Sequence, residues 1–118
     1  MSAILLVDDE AALADLLKKY LERLGYEVET STAPEDALAR FDSGPRGYSL
    51  VVTDLSLPGM NGEALLERMR RSNPNLRGII ASGYPYQPRA AWVTFLQKPF
   101  LPKMLAEAVE QALKGLLS

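Results

Sequence analysis

The sequence predicts an α/β domain in which helices cover both faces of a five-stranded parallel sheet. Short apolar runs alternate with stretches of helical periodicity along the 118 residues, which is the pattern of repeated strand–helix units. Residues 3–8 and 49–54 are almost continuously apolar, as expected of strands buried on both faces. Polar or charged residues directly follow four of the strand-like runs, so one edge of the sheet should collect them. We therefore expect residues 1–118 to form a single domain.

The first helix is predicted between two strands. Residues 3–8 form the first strand, and the pattern then changes to helical periodicity from Glu10 to Leu24. Gly25 supplies a helix stop of the left-handed type, and residues 26–30 alternate as a second strand. The helical periodicity predicts a buried face that consists of Leu13, Leu16, Leu17, Tyr20, Leu21 and Leu24.

A second helix is predicted to begin at Pro34, because proline is favoured in the first turn of a helix. The Gly and Pro content of residues 42–47 predicts a loop, and residues 49–54 form a third strand that we expect to be central in the sheet. After a loop at residues 58–62, a third helix is predicted over residues 63–72. The side chains predicted to be buried on these two helices are Ala37, Leu38, Phe41, Leu65, Leu66 and Met69.

Two more strands and a last helix are predicted, with an irregularity between the strands. The strands are residues 77–81 and 94–97, and the helix is residues 102–116, which buries Met104, Leu105, Ala108, Val109, Ala112 and Leu113. Only twelve residues separate Ser82 from Phe95, and two of them are proline, so a three-turn helix does not fit. We expect one turn of helix or an irregular loop there. Right-handed crossovers are expected to place alternate helices on opposite faces of the sheet.

The composition excludes several classes of function. Cysteine and histidine are both absent, which excludes disulfides, thiol chemistry, the usual zinc sites and histidine acid–base catalysis. Thirteen basic residues against fifteen acidic ones give a net charge of −2, which disfavours direct binding of nucleic acid. No apolar run approaches the length of a membrane-spanning helix, and the N-terminus lacks the features of a secretion signal. We therefore expect a cytoplasmic domain.

Carboxylate, hydroxyl and ammonium groups lie at the ends of four of the predicted strands. Asp8 ends the first strand and Asp9 follows it, Asp54 ends the third, Ser82 follows the fourth and Lys98 follows the fifth. Three carboxylates at one edge of a sheet repel one another, so they favour binding of a divalent cation such as Mg²⁺. Lys98 and Ser82 can bind an anion beside that cation. In this interpretation Asp54 is both a metal ligand and the nucleophile that attacks an incoming phosphorus atom.

Each of these residues also has a purely structural explanation when it is taken alone. Asp8 and Asp9 can cap the helix that follows them, Asp54 and Ser82 can be turn residues, and a lysine is usually a surface residue. We predict a cis bond between Lys98 and Pro99, which would turn the lysine into the crevice at the strand ends. The four clusters come in the order expected of one site, and this order favours the phosphoryl chemistry over four unrelated turns.

Three motifs resemble those of the receiver domains of two-component response regulators. They are Val7-Asp8-Asp9-Glu10, the TDLSLPGMNG stretch at residues 53–62 and the LQKPF stretch at residues 96–100. The resemblance covers residues 4–117. It implies a flavodoxin-like, doubly wound (βα)₅ fold, here with a shortened or irregular fourth helix.

The resemblance implies roles for the acidic residues of the site. Asp54 would be the phosphoacceptor. Asp9, Asp54 and the backbone carbonyl of Ser56 would coordinate Mg²⁺, and Asp8 would contribute through water. Ser56 stands two residues after the acceptor, where an aspartyl-nucleophile phosphatase would need a second acid, so an enzyme of that class is disfavoured.

The resemblance also implies a switch and a class of partner. Ser82 would be the switch hydroxyl, Phe95 the rotating aromatic and Lys98 the phosphate-binding lysine, although core packing alone also explains a single Phe. The phosphoryl group would come from a histidine kinase or a histidine phosphotransfer protein. That partner is expected to dock on the helix at residues 13–24 and the loop after the third strand.

Several alternatives remain open at the level of sequence. The sequence around Ser82 is similar to receivers of hybrid sensor kinases, and a receiver-like domain that binds partners without being phosphorylated is a further alternative. The shortened segment at residues 83–94 leaves the usual output surface of the family, and the oligomeric state, undetermined.

Overall fold

The computed structural model describes residues 3–43 and 47–117, and it contains a five-stranded parallel sheet with the order β2-β1-β3-β4-β5. The predicted α/β class and the central position of β3 are confirmed. In chain order the elements are β1 (Ala3–Val7), α1 (Ala11–Arg23), β2 (Glu27–Ser31), α2 (Pro34–Ser43), β3 (Tyr48–Asp54), α3 (Gly62–Ser72), β4 (Arg77–Ser82), β5 (Val93–Gln97) and α4 (Pro102–Leu117).

The helices cover the two faces of the sheet in pairs, so the expected alternation of faces is wrong. Helices α1 and α4 pack on one face, and α2 and α3 pack on the other. A right-handed crossover changes face only when the chain reverses its direction across the sheet. The chain moves from β1 outward to β2 and then runs back through β3 and β4 to β5, so the crossovers after β2 share one face.

Three side chains predicted to be buried are exposed. Leu16 is 56% exposed, Leu24 is 55% exposed and Met104 is 45% exposed. At 100° per residue, Leu16 lies about 130° from the centre of the buried stripe of α1, and Met104 lies about 120° from that of α4. Leu24 follows the last residue of α1 and is its C-cap. Leu16 and Met104 each stand three or four residues from another residue of the predicted buried face. That spacing alone does not place a side chain on the buried face of a helix.

The segment between β4 and β5 is an irregular loop, which is one of the two forms expected from its prolines. Residues 83–92 contain no helix. The backbone N–H of Gly78 donates to the carbonyl of Trp92 at 3.0 Å, and the Arg70 guanidinium lies 4.5 Å from the centroid of the Trp92 ring. These contacts hold the end of the loop against β4 and α3.

Two further expectations concern loops and membranes. The predicted loop at 42–47 lies partly outside the described residues, since residues 44–46 are not among them. Within the described ranges, no helix is long and apolar enough to cross a membrane.

Candidate functional site

The carboxyl ends of four strands place the predicted polar residues along one edge of the sheet. Asp8 directly follows β1, Asp54 is the last residue of β3 and Ser82 is the last residue of β4. Lys98 directly follows β5. Because the strands are parallel and in register, these ends lie side by side, with Asp54 paired to Ala81 across β3 and β4.

The structure brings the three predicted carboxylates together. One carboxylate oxygen each from Asp8, Asp9 and Asp54 lies within 4.8 Å of the others. Asp8 is 4% exposed and Asp54 is 7% exposed, whereas Asp9 is on the surface. One Asp8 oxygen, Oδ1, accepts a hydrogen bond at 2.8 Å from the backbone N–H of Glu10, just before α1. Asp8 thus orders the start of this helix, while its other oxygen, Oδ2, lies 3.7 Å from Nζ of Lys98.

Lys98 supplies the cation of the site. Its Nζ atom lies 2.5 Å from Oδ1 of Asp54 and 3.7 Å from Oδ2 of Asp8. The Lys98–Pro99 bond is cis, as predicted, and the backbone N–H of Lys98 donates to the carbonyl of Ser82 at 2.8 Å. The ends of β4 and β5 are therefore tied together where the lysine reaches back toward β3.

The ionisation of the site reflects its burial. Burial raises the pKa of the Asp54 carboxyl to about 6, and the negative charge of Asp8 acts in the same direction, while the hydrogen bond and charge of Lys98 oppose them. For Lys98, burial works against the charged form. The hydrogen bond and charge of Asp54, with the charge of Asp8, outweigh it and raise the lysine pKa. A buried carboxylate that is costly to ionise is thus held beside a lysine that stays charged.

A cavity of about 220 Å³ opens above these groups. Its lining consists of Asp9, Glu10, Asp54, Ser56, Ala81, Ser82, Gly83, Tyr84 and Lys98. The Ser82 hydroxyl oxygen accepts a hydrogen bond from the backbone N–H of Tyr84 at 3.0 Å, so its own proton remains available for a ligand in the cavity. Ser56 is exposed at the mouth of the cavity.

The donor set fits a hard divalent cation. Mg²⁺ prefers oxygen ligands, takes few carboxylates and retains several waters. The carboxylates of Asp8, Asp9 and Asp54 are close enough to share such an ion, and an ion there would offset the repulsion among three acids. The same ion would compete with Lys98 for the oxygens of Asp54.

Phe95, which was predicted to be a switch residue, lies beside the site rather than in it. It is half-buried on β5 and is not among the described residues that line the cavity. Its ring makes an edge contact with the ring of Tyr86, with the centroids 6.2 Å apart. Phe95 therefore faces the irregular loop between β4 and β5.

Sequence reasoning missed two residues that shape the site. The side-chain N–H groups of Gln97 lie 3.0 Å from the carbonyl of Lys98, 3.1 Å from that of Gly83 and 3.4 Å from that of Ser82. Gly62, the first residue of α3, lies so close to the backbone of Asp54 that any Cβ would collide with its carbonyl oxygen. Gln97 stood inside the LQKPF motif, but the motif assigned it no role. The glycine stood inside a recognised motif, but its contact depends on how α3 approaches β3.

Comparison with known proteins agrees with this geometry. The family model described as "Response regulator receiver domain" matches residues 4–110. The chain belongs to this receiver-domain family. A crystal structure of the receiver domain from the hybrid histidine kinase CckA is 34% identical, with a TM-score of 0.80 over 95% of this chain and 99% of that one. A response regulator receiver protein from Sinorhizobium medicae WSM419 has a TM-score of 0.88 at 28% identity, over 98% of this chain and 96% of that chain.

The curated relatives of this receiver domain are longer proteins. The sensor kinase CckA of Brucella abortus (strain 2308) is 32% identical over 96% of this chain, which spans 13% of that protein. The transcriptional regulatory protein FixJ of Bradyrhizobium diazoefficiens is 33% identical over 94% of this chain, which spans 56% of that protein. The family that the chain matches is one of signalling domains with a phosphoacceptor role.

Proposed function

We propose that this receiver domain accepts a phosphoryl group on Asp54 in a Mg²⁺-dependent phosphorelay and changes conformation in response. The observation that carries the proposal is the position of Asp54. Its carboxylate is almost fully buried at the base of an open cavity, lies within 4.8 Å of two other acids and is 2.5 Å from a lysine ammonium. A buried carboxylate that destabilises the fold but faces solvent-accessible space is typical of a reactive group.

The carboxylates, the lysine and the serines of the site have proposed chemical roles. An oxygen of Asp54 attacks the phosphorus in line, forming a P–O bond while the bond from phosphorus to the donor's nitrogen or oxygen breaks and the donor leaves with that electron pair. Asp9, Asp54 and the backbone carbonyl of Ser56 would hold Mg²⁺, with Asp8 contributing through water, and the ion would offset the charge that gathers on the transferring group. Lys98 then moves from the carboxylate to a phosphoryl oxygen, and the Ser82 hydroxyl donates to another.

The conformational response follows from new contacts that only the phosphorylated state offers. In the structure Lys98 is paired with Asp54, and the backbone N–H of Tyr84 donates to the Ser82 hydroxyl. A phosphoryl group gives both side chains a ligand and draws the end of β4 toward β3. We propose that Phe95 then packs inward, which makes the change a shift between two populated states.

The proposed donor is a histidine kinase or a histidine phosphotransfer protein that docks beside the cavity. Supporting this location, a second cavity of about 440 Å³ is lined by Glu10, Leu13, Gly83, Lys98, Pro99 and Phe100, next to the first. Leu101, which follows Phe100 of this cavity and precedes α4, is 67% exposed. Exposed apolar side chains beside a cavity support a protein-binding face there. The likeness to the CckA receiver supports a place in a hybrid kinase.

The test is phosphorylation by a small donor. The protein is incubated with acetyl phosphate and Mg²⁺, and its intact mass is measured over time, with a parallel sample in EDTA. We expect one phosphoryl group to be added with Mg²⁺ and none with EDTA. A protein that gains no phosphoryl mass at any Mg²⁺ concentration would contradict the proposal and favour a receiver that signals without phosphorylation.

A further inference from the structure

The side chain of Gln97 joins the two chain segments that carry Ser82 and Lys98. Gln97 is the last residue of β5, and it is paired in parallel register with Ser82, the last residue of β4. Its Nε2 atom lies 3.0 Å from the carbonyl oxygen of Lys98, 3.1 Å from that of Gly83 and 3.4 Å from that of Ser82. The side-chain amide has two N–H groups, so the two shorter contacts can use both of them, and the third is a longer, weaker contact.

These contacts extend the pairing of β4 with β5 beyond the ends of the two strands. Directly after β5, the backbone N–H of Lys98 donates to the carbonyl of Ser82 at 2.8 Å. Pro99 comes next and has no N–H, so it cannot donate to β4. The carbonyl of Gly83, one residue beyond β4, receives its hydrogen bond from the Gln97 side chain instead. Gln97 therefore fastens the end of β4 to the end of β5.

The two fastened segments carry the hydroxyl and the ammonium group of the site. Ser82 and Lys98 both line the cavity above Asp54, and the ammonium lies 2.5 Å from a carboxylate oxygen of Asp54. The Ser82 oxygen accepts a hydrogen bond from the N–H of Tyr84, which leaves the hydroxyl proton for a ligand. The distance between the two groups therefore depends on how the end of β4 is held against the end of β5.

We propose that Gln97 is a positioning residue, which holds the Ser82 hydroxyl and the Lys98 ammonium at the separation that a phosphoryl group on Asp54 requires. Gln97 is exposed at the end of β5 and is not among the described residues that line the cavity, so it acts through the carbonyls of Gly83 and Lys98. Groups that are fixed before the reaction do not have to be ordered during it. This inference rests on the proposed function, since the ligand that the two groups share is the phosphoryl group.

Loss of the Gln97 amide should slow phosphoryl transfer without changing metal binding. The proposed Mg²⁺ ligands are Asp8, Asp9, Asp54 and the carbonyl of Ser56, which belong to the ends of β1 and β3 and the segments that follow them, and not to β4 or β5. Gln97→Met keeps the length of the side chain and removes its N–H groups. It should lower the phosphorylation rate at saturating Mg²⁺ by about fivefold and leave the Mg²⁺ concentration for half the maximal rate within about twofold.

The rates are measured as phosphoryl mass against time, with acetyl phosphate as donor and a series of Mg²⁺ concentrations. The matched control is Gln87→Met, which makes the same exchange at an exposed position of the loop between β4 and β5 and should keep the wild-type rate within about twofold. Equal losses in the two variants, or a wild-type rate in Gln97→Met, would overturn the proposal. A faster rate in Gln97→Met would also overturn it, because the amide would then restrain Ser82 instead of positioning it.

A second background separates positioning from a general effect on the fold. In a chain that already carries Ser82→Ala, the hydroxyl that Gln97 positions is gone, so adding Gln97→Met should change the rate by less than about twofold. A purely structural effect would give the same loss with or without the hydroxyl, and that result would overturn the proposal. Urea unfolding of each variant checks that the chain is folded under the conditions of the rate measurement.

Hydrogen exchange tests the positioning without phosphate or metal. In EDTA, the backbone amides of Tyr84 and Lys98, which donate to the hydroxyl and the carbonyl of Ser82, should exchange about fivefold faster in Gln97→Met. The amide of Leu55, which donates to the carbonyl of Ala81 at 2.9 Å, should not change. Unchanged exchange at both Tyr84 and Lys98 would overturn the proposal. A wild-type chain that gains no phosphoryl mass contradicts the proposed function instead, and hydrogen exchange still decides whether the Gln97 amide holds the two segments together.

Discussion

Replacing the buried acid of the site should stabilise the protein when no metal is present. Asp54→Asn keeps the shape of the side chain and removes its charge. Burial raises the pKa of Asp54 from 3.8 to about 6, so ionising this group costs the folded state more than the unfolded chain. The rise corresponds to about 3 kcal/mol, at about 1.4 kcal/mol for each pH unit. This pKa already includes the opposing ion pair with Lys98, so we expect the variant to gain up to about 3 kcal/mol at pH 7.

The stability gain of Asp54→Asn should depend on pH in a defined direction. A group whose pKa is raised by folding contributes its full stability below the pKa of the unfolded chain, 3.8, and loses it as the pH rises through about 6. The advantage of Asp54→Asn should therefore be small at pH 4, grow through pH 5 and level off above pH 6. Mg²⁺ should reverse the order at neutral pH, because the ion stabilises the wild-type chain more than a variant with one carboxylate fewer.

Urea unfolding in EDTA, repeated at pH values from about 4 to 8, measures the difference in the free energy of unfolding. The control is Asp15→Asn, which neutralises an exposed aspartate paired with Lys19 on α1 and should show no such pH-dependent gain. The reasoning is refuted if Asp54→Asn is less stable than the wild-type chain at pH 7 in EDTA. It is also refuted if the difference between the two proteins does not change with pH.

Three other substitutions test separate contacts. Lys98→Met removes the cation 2.5 Å from Asp54 and should slow phosphorylation by acetyl phosphate at least about tenfold, measured as phosphoryl mass against time; a wild-type rate would exclude the lysine from the reaction. Gly62→Ala forces a Cβ onto the carbonyl of Asp54 and should cost about 2 kcal/mol or more of unfolding free energy, whereas Gly83→Ala, with no atom within 4 Å of the added Cβ, should cost less than about 0.5. Gln97→Met removes the N–H donor that three carbonyls share and should lower the free energy of unfolding in urea by about 1 kcal/mol. Gln97→Lys keeps an N–H donor and should recover part of that loss. Equal losses in the two variants would contradict a stabilising role for the Gln97 hydrogen bonds.

The sequence predicted the elements of the fold well because their patterns are local. Each predicted strand and helix that lies in the described ranges agrees with the observed bounds to within one residue. The clustering of Asp8, Asp9, Asp54 and Lys98 was also predictable, because parallel strands must end at the same edge of the sheet. These predictions depend only on where each strand ends and not on the exact packing of the side chains.

Features that depend on strand order or side-chain packing could not be predicted from the sequence. The pairing of α2 with α3 on one face follows from the spatial order of strands, which the chain order alone does not give. The contacts of Gln97 require its side chain to fold back over its own turn, and no sequence pattern predicts that conformation. A cavity of about 320 Å³ beside α3 is bounded by the loop with two prolines between β4 and β5, and its existence depends on how that loop packs against α3.

The most direct test of the central claim identifies the residue that carries the phosphoryl group. The protein is treated with acetyl phosphate and Mg²⁺, the acyl phosphate is reduced with borohydride, and peptides are sequenced by mass spectrometry. An aspartyl phosphate is converted to homoserine, so we predict homoserine at position 54 and unmodified aspartate at positions 8 and 9. Homoserine at position 8 or 9, or none anywhere in a sample that gained phosphoryl mass, would contradict the assignment of Asp54.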